Sequence, residues 1–324
     1  MTTALYSRRD VRRHLDLDAA LAVVEKTYAE TARGRVVNPS KLTMHLGDDG
    51  DWPDRNAFAI DMPAYVDWLG AAGTKWAVAT WDVDEDPISA LLLLFDLDRG
   101  QFTAVMEGMH LTGVRTALQT VVGLKHLAPS TPDAVGVFGA GFQARFQLSV
   151  IDALLDVDRF TLFDVDEARA RDLAETLAAD LDATVAVADA PAAAAGTDAV
   201  VTVTDSKTPV LEESWLDESA LVVALGTYRE LPDATIRAAD HLVVDHREQC
   251  LQRGALSDVA GRGDLTRADM DATIGEVLAD DYDASFRSDD RVVFVPIGQG
   301  SLDVALAESI RVDAPDVPET FAFD

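Results

Sequence analysis

The chain has 324 residues, 48% of them hydrophobic, enough for two domains each with its own core. Its formal net charge is −30, from 57 acidic and 27 basic residues, which repels phosphate and so excludes nucleic acid and anionic membrane as partners. The acid is spread along the chain and lysine is confined to Lys26, Lys41, Lys75, Lys125 and Lys207, as expected of a halophilic surface whose self-repulsion is screened by salt.

Residues 7–33 read as a helical region, with Asp16 or Asp18 as cap and Gly34 as stop. Strands are expected at Leu42–Leu46, Phe58–Met62, Thr74–Thr80, Ala90–Phe95 and Phe102–Met106, with a Gly-, Asp- and Pro-rich turn over Gly47–Asn56. The longest apolar run, Ile88–Phe95, is too short to span a bilayer. The N-terminus has no apolar signal core, and the single cysteine, Cys250, forbids an intrachain disulfide. Together these predict a soluble cytoplasmic protein. Leu111–Leu127 forms a long amphipathic helix, capped by Thr112 and broken by Pro129 and Pro132, that bridges into a second domain.

That domain opens with AVGVFGAGFQARFQL (134–148). An apolar run ends in Gly139 and Gly141, with Ala144 in the third slot of G-x-G-x-x-A. A helical pattern follows, and the next apolar run, Phe160–Phe163, ends in Asp164 about 25 residues past Gly139. Gly139 permits the tight turn, Gly141 lets backbone approach a pyrophosphate, and Ala144 lets helix and sheet pack closely. The phosphates would sit on the helix N-terminus. Asp164 would accept from the ribose hydroxyls and repel a 2′-phosphate, favouring NAD over NADP. Alternation continues with a helix near Glu167–Asp180 and strands at Thr184–Ala188, Ala199–Thr204, Ala220–Leu225 and His241–Val244. It ends with a strand at Val292–Pro296 and a helix at Ser301–Val312 that returns to the first domain. Ala190–Ala195 reads as a low-complexity linker and Asp313–Asp324 as an exposed arm. The fold class is α/β: a Rossmann-type doubly wound parallel sheet plus an α+β domain. The α+β domain spans 1–128 with 301–324, and the nucleotide domain spans 129–300. Thr204 and Gly226, at strand ends, face the ligand crevice.

Four residues outside that motif are candidates for chemistry. Lys75 opens an apolar strand, where it either snorkels or works as an acid/base. Arg115 lies on an apolar helix with no acid within a turn, which suggests an anion partner. Lys41 enters a strand, and Asp303 lies at the start of the last helix. The histidines show no metal-ligand spacing, and no metal is assigned.

MPAYVDWLGAAGTKWAV (62–78), LTGVRTALQTVVGLKHLA (111–128), VGVFGAGFQARFQL (135–148) and GSLDVALAE (300–308) together resemble the ornithine cyclodeaminase/mu-crystallin family, across nearly the whole chain. The resemblance implies a homodimer formed by the first domain. It implies an active-site lysine at Lys75, a carboxylate-binding arginine at Arg115 and an acid at Asp303. Two positions depart from the family pattern. Lys41 stands where a second arginine is usual, and Tyr228 stands where cyclodeaminases carry an aspartate.

The resulting expectation is an NAD-dependent oxidoreductase acting on a small L-amino acid and its imino or 2-oxo acid, of the alanine dehydrogenase type. Lys75 and Asp303 are its catalytic residues; Lys41, Arg115 and Tyr228 bind substrate. Thr112, Thr116, Gly139, Gly141, Phe142, Gln143, Ala144, Asp164, Thr204 and Gly226 bind the cofactor. The alternatives are a cyclodeaminase that recycles its NAD, a ketimine reductase, and a non-catalytic nucleotide- or ligand-binding dimer.

Overall fold

The computed structural model describes residues 2–47, 52–53, 55–80, 82, 88–282, 286–314 and 319–322. The chain divides into two compact units, 1–115 with 299–324 and 116–298. The boundary lies inside the bridging helix rather than after it at residue 128. The reason is local: Gly123, in the helix's second half, lies against Phe294 of the second unit, 2.7 Å from where a Cβ would stand.

The first unit contains β1 (Thr2–Tyr6), α1 (Arg8–His14), α2 (Leu17–Ala32), β2 (Val36–Val37), β3 (Leu42–Leu46), β4 (Ala57–Val66), β5 (Ala71–Thr80), β6 (Ile88–Asp96) and β7 (Gln101–Glu107), and it receives the first residues of α3 (Met109–His126). The expected single helical region is two helices. Ser7 caps α1, Leu15 is extended, and the Asp16 carboxylate restarts the chain by accepting from Ala19 N at 2.9 Å. The five expected strands form, mostly longer than anticipated. Much of the turn expected over Gly47–Asn56 lies outside the described residues.

Among the described residues the sheet order is β16-β1-β7-β6-β5-β4-β2, with β3 also on β4. Here β16 is Glu319–Ala322, part of the tail expected as an arm. Its side chains are exposed, but its backbone pairs antiparallel with β1. Four residues without alternation give no readable strand signal; the edge of β1 supplies the partner. The returning helix α11 (Gly300–Asp313) packs on β4, β5, β6 and α2 and is buried on nearly every side. It lies so close to β4 that a Cβ on Gly300 would stand 2.4 Å from Met62 O.

The second unit runs β8 (Ala134–Phe138), α4 (Phe142–Leu154), β9 (Arg159–Phe163), α5 (Glu167–Leu177), β10 (Thr184–Val187), α6 (Pro191–Ala195), β11 (Ala199–Thr202), β12 (Leu221–Ala224), α7 (Asp233–Arg237), β13 (His241–Val244), α8 (Arg247–Cys250), α9 (Ser257–Gly261), β14 (Ala272–Thr273), α10 (Ile274–Leu278) and β15 (Val292–Val295). The sheet order is β10-β9-β8-β11-β12-β15-β13-β14, with every pair parallel. Strands β8, β11, β12 and β15 are buried throughout, as continuous apolar runs covered on both faces require. The alanine-rich segment is not a linker. Pro191 starts the short helix α6, and Ala194 O fills the space that a Cβ on Gly136 would need. Among the described residues, no helix is long and apolar enough to cross a membrane.

Candidate active site

The first unit brings three of the predicted residues together. Lys75 sits mid-strand on β5, opposite Met62 of β4 and Leu92 of β6, so its side chain enters the apolar face under α11. Asp303 points from the first turn of α11, and Arg115 comes from α3. Lys75 Nζ donates to Asp303 Oδ1 at 3.0 Å and lies equally close to Oδ2. Arg115 Nε donates to the same Oδ1 at 3.2 Å. All three are nearly or fully buried, Asp303 completely. The ammonium therefore does not snorkel. Nor is Arg115 without an acid: the acid comes from 188 positions along the chain, which no helical-turn count could find.

Two cations share one carboxylate, and this sets the electrostatics. Burial drives the Lys75 ammonium down to about pKa 8; the Asp303 charge opposes that and the Arg115 charge adds to it. Burial pushes Asp303 up, but Arg115 and Lys75 outweigh it and hold the carboxyl below its ordinary value. The cluster thus holds a guanidinium, a carboxylate and, in Lys75, an amine that can exchange a proton near pH 8.

The start of α3 is not built as expected. Thr112 lies inside the helix, its N–H donating to Gly108 O at 2.9 Å, and its buried hydroxyl has no hydrogen-bond partner among the described residues. The cap is Glu107, whose two carboxylate oxygens accept from Met109 N and His110 N, each at 3.1 Å. Thr116, one turn after Thr112, is half-buried. Lys41 leads into β3, which pairs with β4, the neighbour of the Lys75 strand.

In the second unit the glycine turn has the geometry its motif demands. Gly139 has φ +102°, and a Cβ there would stand 2.8 Å from Val203 O. Gly141 caps α4 with no side chain and has nothing within 4 Å of its Cβ position, so the helix N-terminus is open above it. Phe142 is half-exposed and packs on Phe146 at 5.0 Å; Gln143 keeps a buried carbonyl oxygen without a donor among the described residues; Ala144 is fully buried. Asp164 follows β9, and its oxygens accept from Ala140 N at 2.7 Å and Asp166 N at 2.8 Å. The acid expected for the ribose thus also ties the end of β9 to the glycine turn.

Thr204 and Gly226 lie at the carboxyl ends of β11 and β12, as expected, but their donors are already engaged. Thr204 N and Oγ1 donate to Glu230 Oε1 at 2.6 and 2.7 Å, and Gly226 N donates to Glu230 Oε2 at 2.6 Å. Sequence reasoning missed Glu230; an acid in a polar loop (GTYRELP) gives no sign that it turns inward. Tyr228, in the same loop, is half-exposed, with Lys207 Nζ 5.3 Å from its ring centre.

The profile of the ornithine cyclodeaminase/mu-crystallin family matches residues 1–316. An alanine dehydrogenase from Archaeoglobus fulgidus is 28% identical over 322 residues, covering 97% of this chain and 96% of its own. A Delta(1)-pyrroline-2-carboxylate reductase from Bacillus cereus is 24% identical, over 93% of this chain and 94% of its own. The solved structure of an archaeal alanine dehydrogenase dimer with bound NAD superposes with a TM-score of 0.90 at 26% identity, over 100% of both chains.

Proposed function

The chain belongs to the ornithine cyclodeaminase/mu-crystallin family, and from that premise we propose an NAD-dependent oxidoreductase that interconverts a small L-amino acid with its imino or 2-oxo acid. The observation that carries this reading is the buried cluster of Lys75, Asp303 and Arg115. The nicotinamide, when bound, accepts or gives the hydride at the substrate Cα. Everything else falls to side chains. Arg115, oriented through Nε by Asp303, holds the substrate carboxylate. Lys41 adds positive charge without the bidentate fork of an arginine. In the oxidative direction the neutral Lys75 amine takes the proton lost as the substrate amine becomes an imine. Once that proton has passed to solvent, the amine takes a proton from the water that adds to the imine carbon. It returns that proton to the substrate nitrogen, which leaves as ammonia while the hydroxyl proton is lost and the carbonyl forms.

The second unit supports the cofactor assignment: an open Gly141, an uncapped α4 N-terminus and an acid at the end of β9 fit a dinucleotide. Thr112 and Thr116 on α3 complete the proposed cofactor set. Asp164 favours NAD, so NADH should bind more tightly than NADPH in a direct titration.

A homodimer is supported by the outer face of the first sheet. Leu42, Asp61, Trp76 and Leu91 are directly paired across β3, β4, β5 and β6, and the three apolar ones are 70%, 52% and 51% exposed. A row of that kind is what a second copy covers.

Tyr228 in place of an aspartate argues against cyclodeamination. The pyrroline-2-carboxylate reductase relative keeps cyclic imines as the second substrate class. The test follows nicotinamide absorbance at high salt with L-amino acids, 2-oxo acids plus ammonia, and cyclic imines. Steady turnover with one class is expected. Proline formed from ornithine without net absorbance change would replace the reading with the cyclodeaminase. NADH binding without turnover on any substrate would leave a ligand-binding dimer.

A further inference from the structure

Resting on the nucleotide-binding reading of the second unit, we propose that Glu230 is a positioning residue that sets the carboxyl-edge loops of the parallel sheet for the dinucleotide. Open parallel sheets take ligands beyond the carboxyl ends of their strands. There β11 and β12 lie side by side, Thr202 opposite Ala224. Val203 N and Leu225 N still donate to neighbouring strands, to Phe138 O and Thr202 O at 2.9 Å each, and the N–H groups after them, of Thr204 and Gly226, need other acceptors. Glu230 supplies them. Its fully buried carboxylate takes four donors, two on each oxygen: Thr204 N and Oγ1 on Oε1, Gly226 N and Thr202 Oγ1 on Oε2. Its backbone adds two more ties, accepting from Val210 N at 2.8 Å and donating to Tyr228 O at 3.1 Å. Gly226 has no Cβ because the Glu230 carboxyl carbon would stand 2.2 Å from it.

The segment held this way lies against the phosphate turn. Val203 N donates to Phe138 O at 2.9 Å, and Val203 O and Thr204 Cγ2 fill the space beside Gly139 that a Cβ would occupy. A shift of Thr204 is therefore a shift of the wall of the glycine turn. Burying a carboxylate is expensive, and closing two strand ends alone needs only a neutral acceptor. Burial pushes the Glu230 carboxyl up while its four donors oppose that, and an acceptor group with all its sites filled fixes both loops in one geometry, which a dinucleotide site requires.

The test compares Glu230→Gln and Thr202→Val with the unaltered protein, using NADH as the probe in a fluorescence titration, with melting temperature and circular dichroism measured on the same samples. Glu230→Gln turns one acceptor into a donor facing two donors, and NADH affinity should fall at least about ten-fold. Thr202→Val removes one donor to Glu230 at a buried strand position, paired with Phe138, while leaving the Thr204 and Gly226 ties in place, and affinity should fall about three-fold with the fold kept. NADH affinity within about two-fold of the unaltered protein in both variants, even with lowered melting, makes Glu230 purely structural and overturns the proposal. If Glu230→Gln does not fold, unchanged NADH affinity in Thr202→Val overturns it alone. An unaltered protein that does not bind NADH overturns the nucleotide-binding reading itself, and this inference falls with it.

Discussion

Lys75 is poised near pKa 8 because burial strips its hydration while one carboxylate is shared with Arg115. The direction of its pH dependence follows. Reduction of an imine needs Lys75 protonated, so the reductive rate should fall as pH rises through about 8. Oxidation needs the neutral amine and should rise and level off above the same point. Between pH 8 and the ordinary lysine value of 10.5 the unfolded chain carries a proton that the folded chain lacks, so this residue adds stability as pH rises across that window. Asp303 raises the Lys75 pKa. Asp303→Asn should therefore move the reductive inflection to lower pH, and it should destabilise the fold by about 3–5 kcal/mol by leaving a buried cation uncompensated. An unmoved inflection in a pH–rate profile would detach Asp303 from Lys75. Lys75→Ala should cost about 10²–10⁴ in turnover while NADH affinity is kept; retained turnover would remove the lysine from the chemistry. Much at this scale was legible beforehand, since a lysine and an arginine set among apolar residues are anomalies that invite a function. Glu230 was not, because an acid becomes anomalous only when its burial is seen.

Elements carry these side chains to their places, and small features decide the aim. The first turn of α11 holds Asp303 three residues after Gly300, where the helix touches β4 backbone. Gly300→Ala would put a methyl carbon 2.4 Å from Met62 O, so helix or strand must shift. The expected result is a lower melting temperature together with lost turnover, because the displaced residue is next to the cluster. Unchanged kinetics would show that α11 tolerates movement without disturbing Asp303. At the other approach, Glu107 holds the N-terminus of α3, the helix that presents Arg115. Glu107→Ala should cost about 1 kcal/mol, seen as a lowered denaturant midpoint at unchanged slope. The strands and long helices were readable because their apolar periods are strong. The cap of α3 was misread because Thr112 has a capping side chain, whereas the acid that does the work lies at a strand end. The short strands β1, β2 and β16 were missed for a related reason: two to five residues carry too little alternation to signal a strand, and pairing with a neighbouring strand is what makes them one.

At the scale of the whole molecule, charge and association act against each other. Each copy carries −30, so two copies bringing their first-unit sheets together must overcome long-range repulsion. The proposed contact is mostly apolar: Leu42, Trp76 and Leu91 lie in one cross-strand row with Asp61 between Leu42 and Trp76, and Met44 is half-exposed two positions along β3 from Leu42. Salt shortens the reach of the repulsion, from about 10 Å at 0.1 M to about 3 Å at 1 M, and strengthens apolar burial when the anion is strongly excluded from the surface. Both effects have the same sign, so the proposed dimer should tighten as salt rises, and the melting temperature should rise with it. Sedimentation velocity across a potassium chloride series tests this directly. A monomer at low salt that becomes a dimer at molar salt is expected, with Trp76→Glu remaining monomeric throughout. A mass independent of salt in the unaltered protein would mean that the interface does not sense the net charge. A dimer that survives Trp76→Glu at every salt concentration would place the interface elsewhere than on this sheet face.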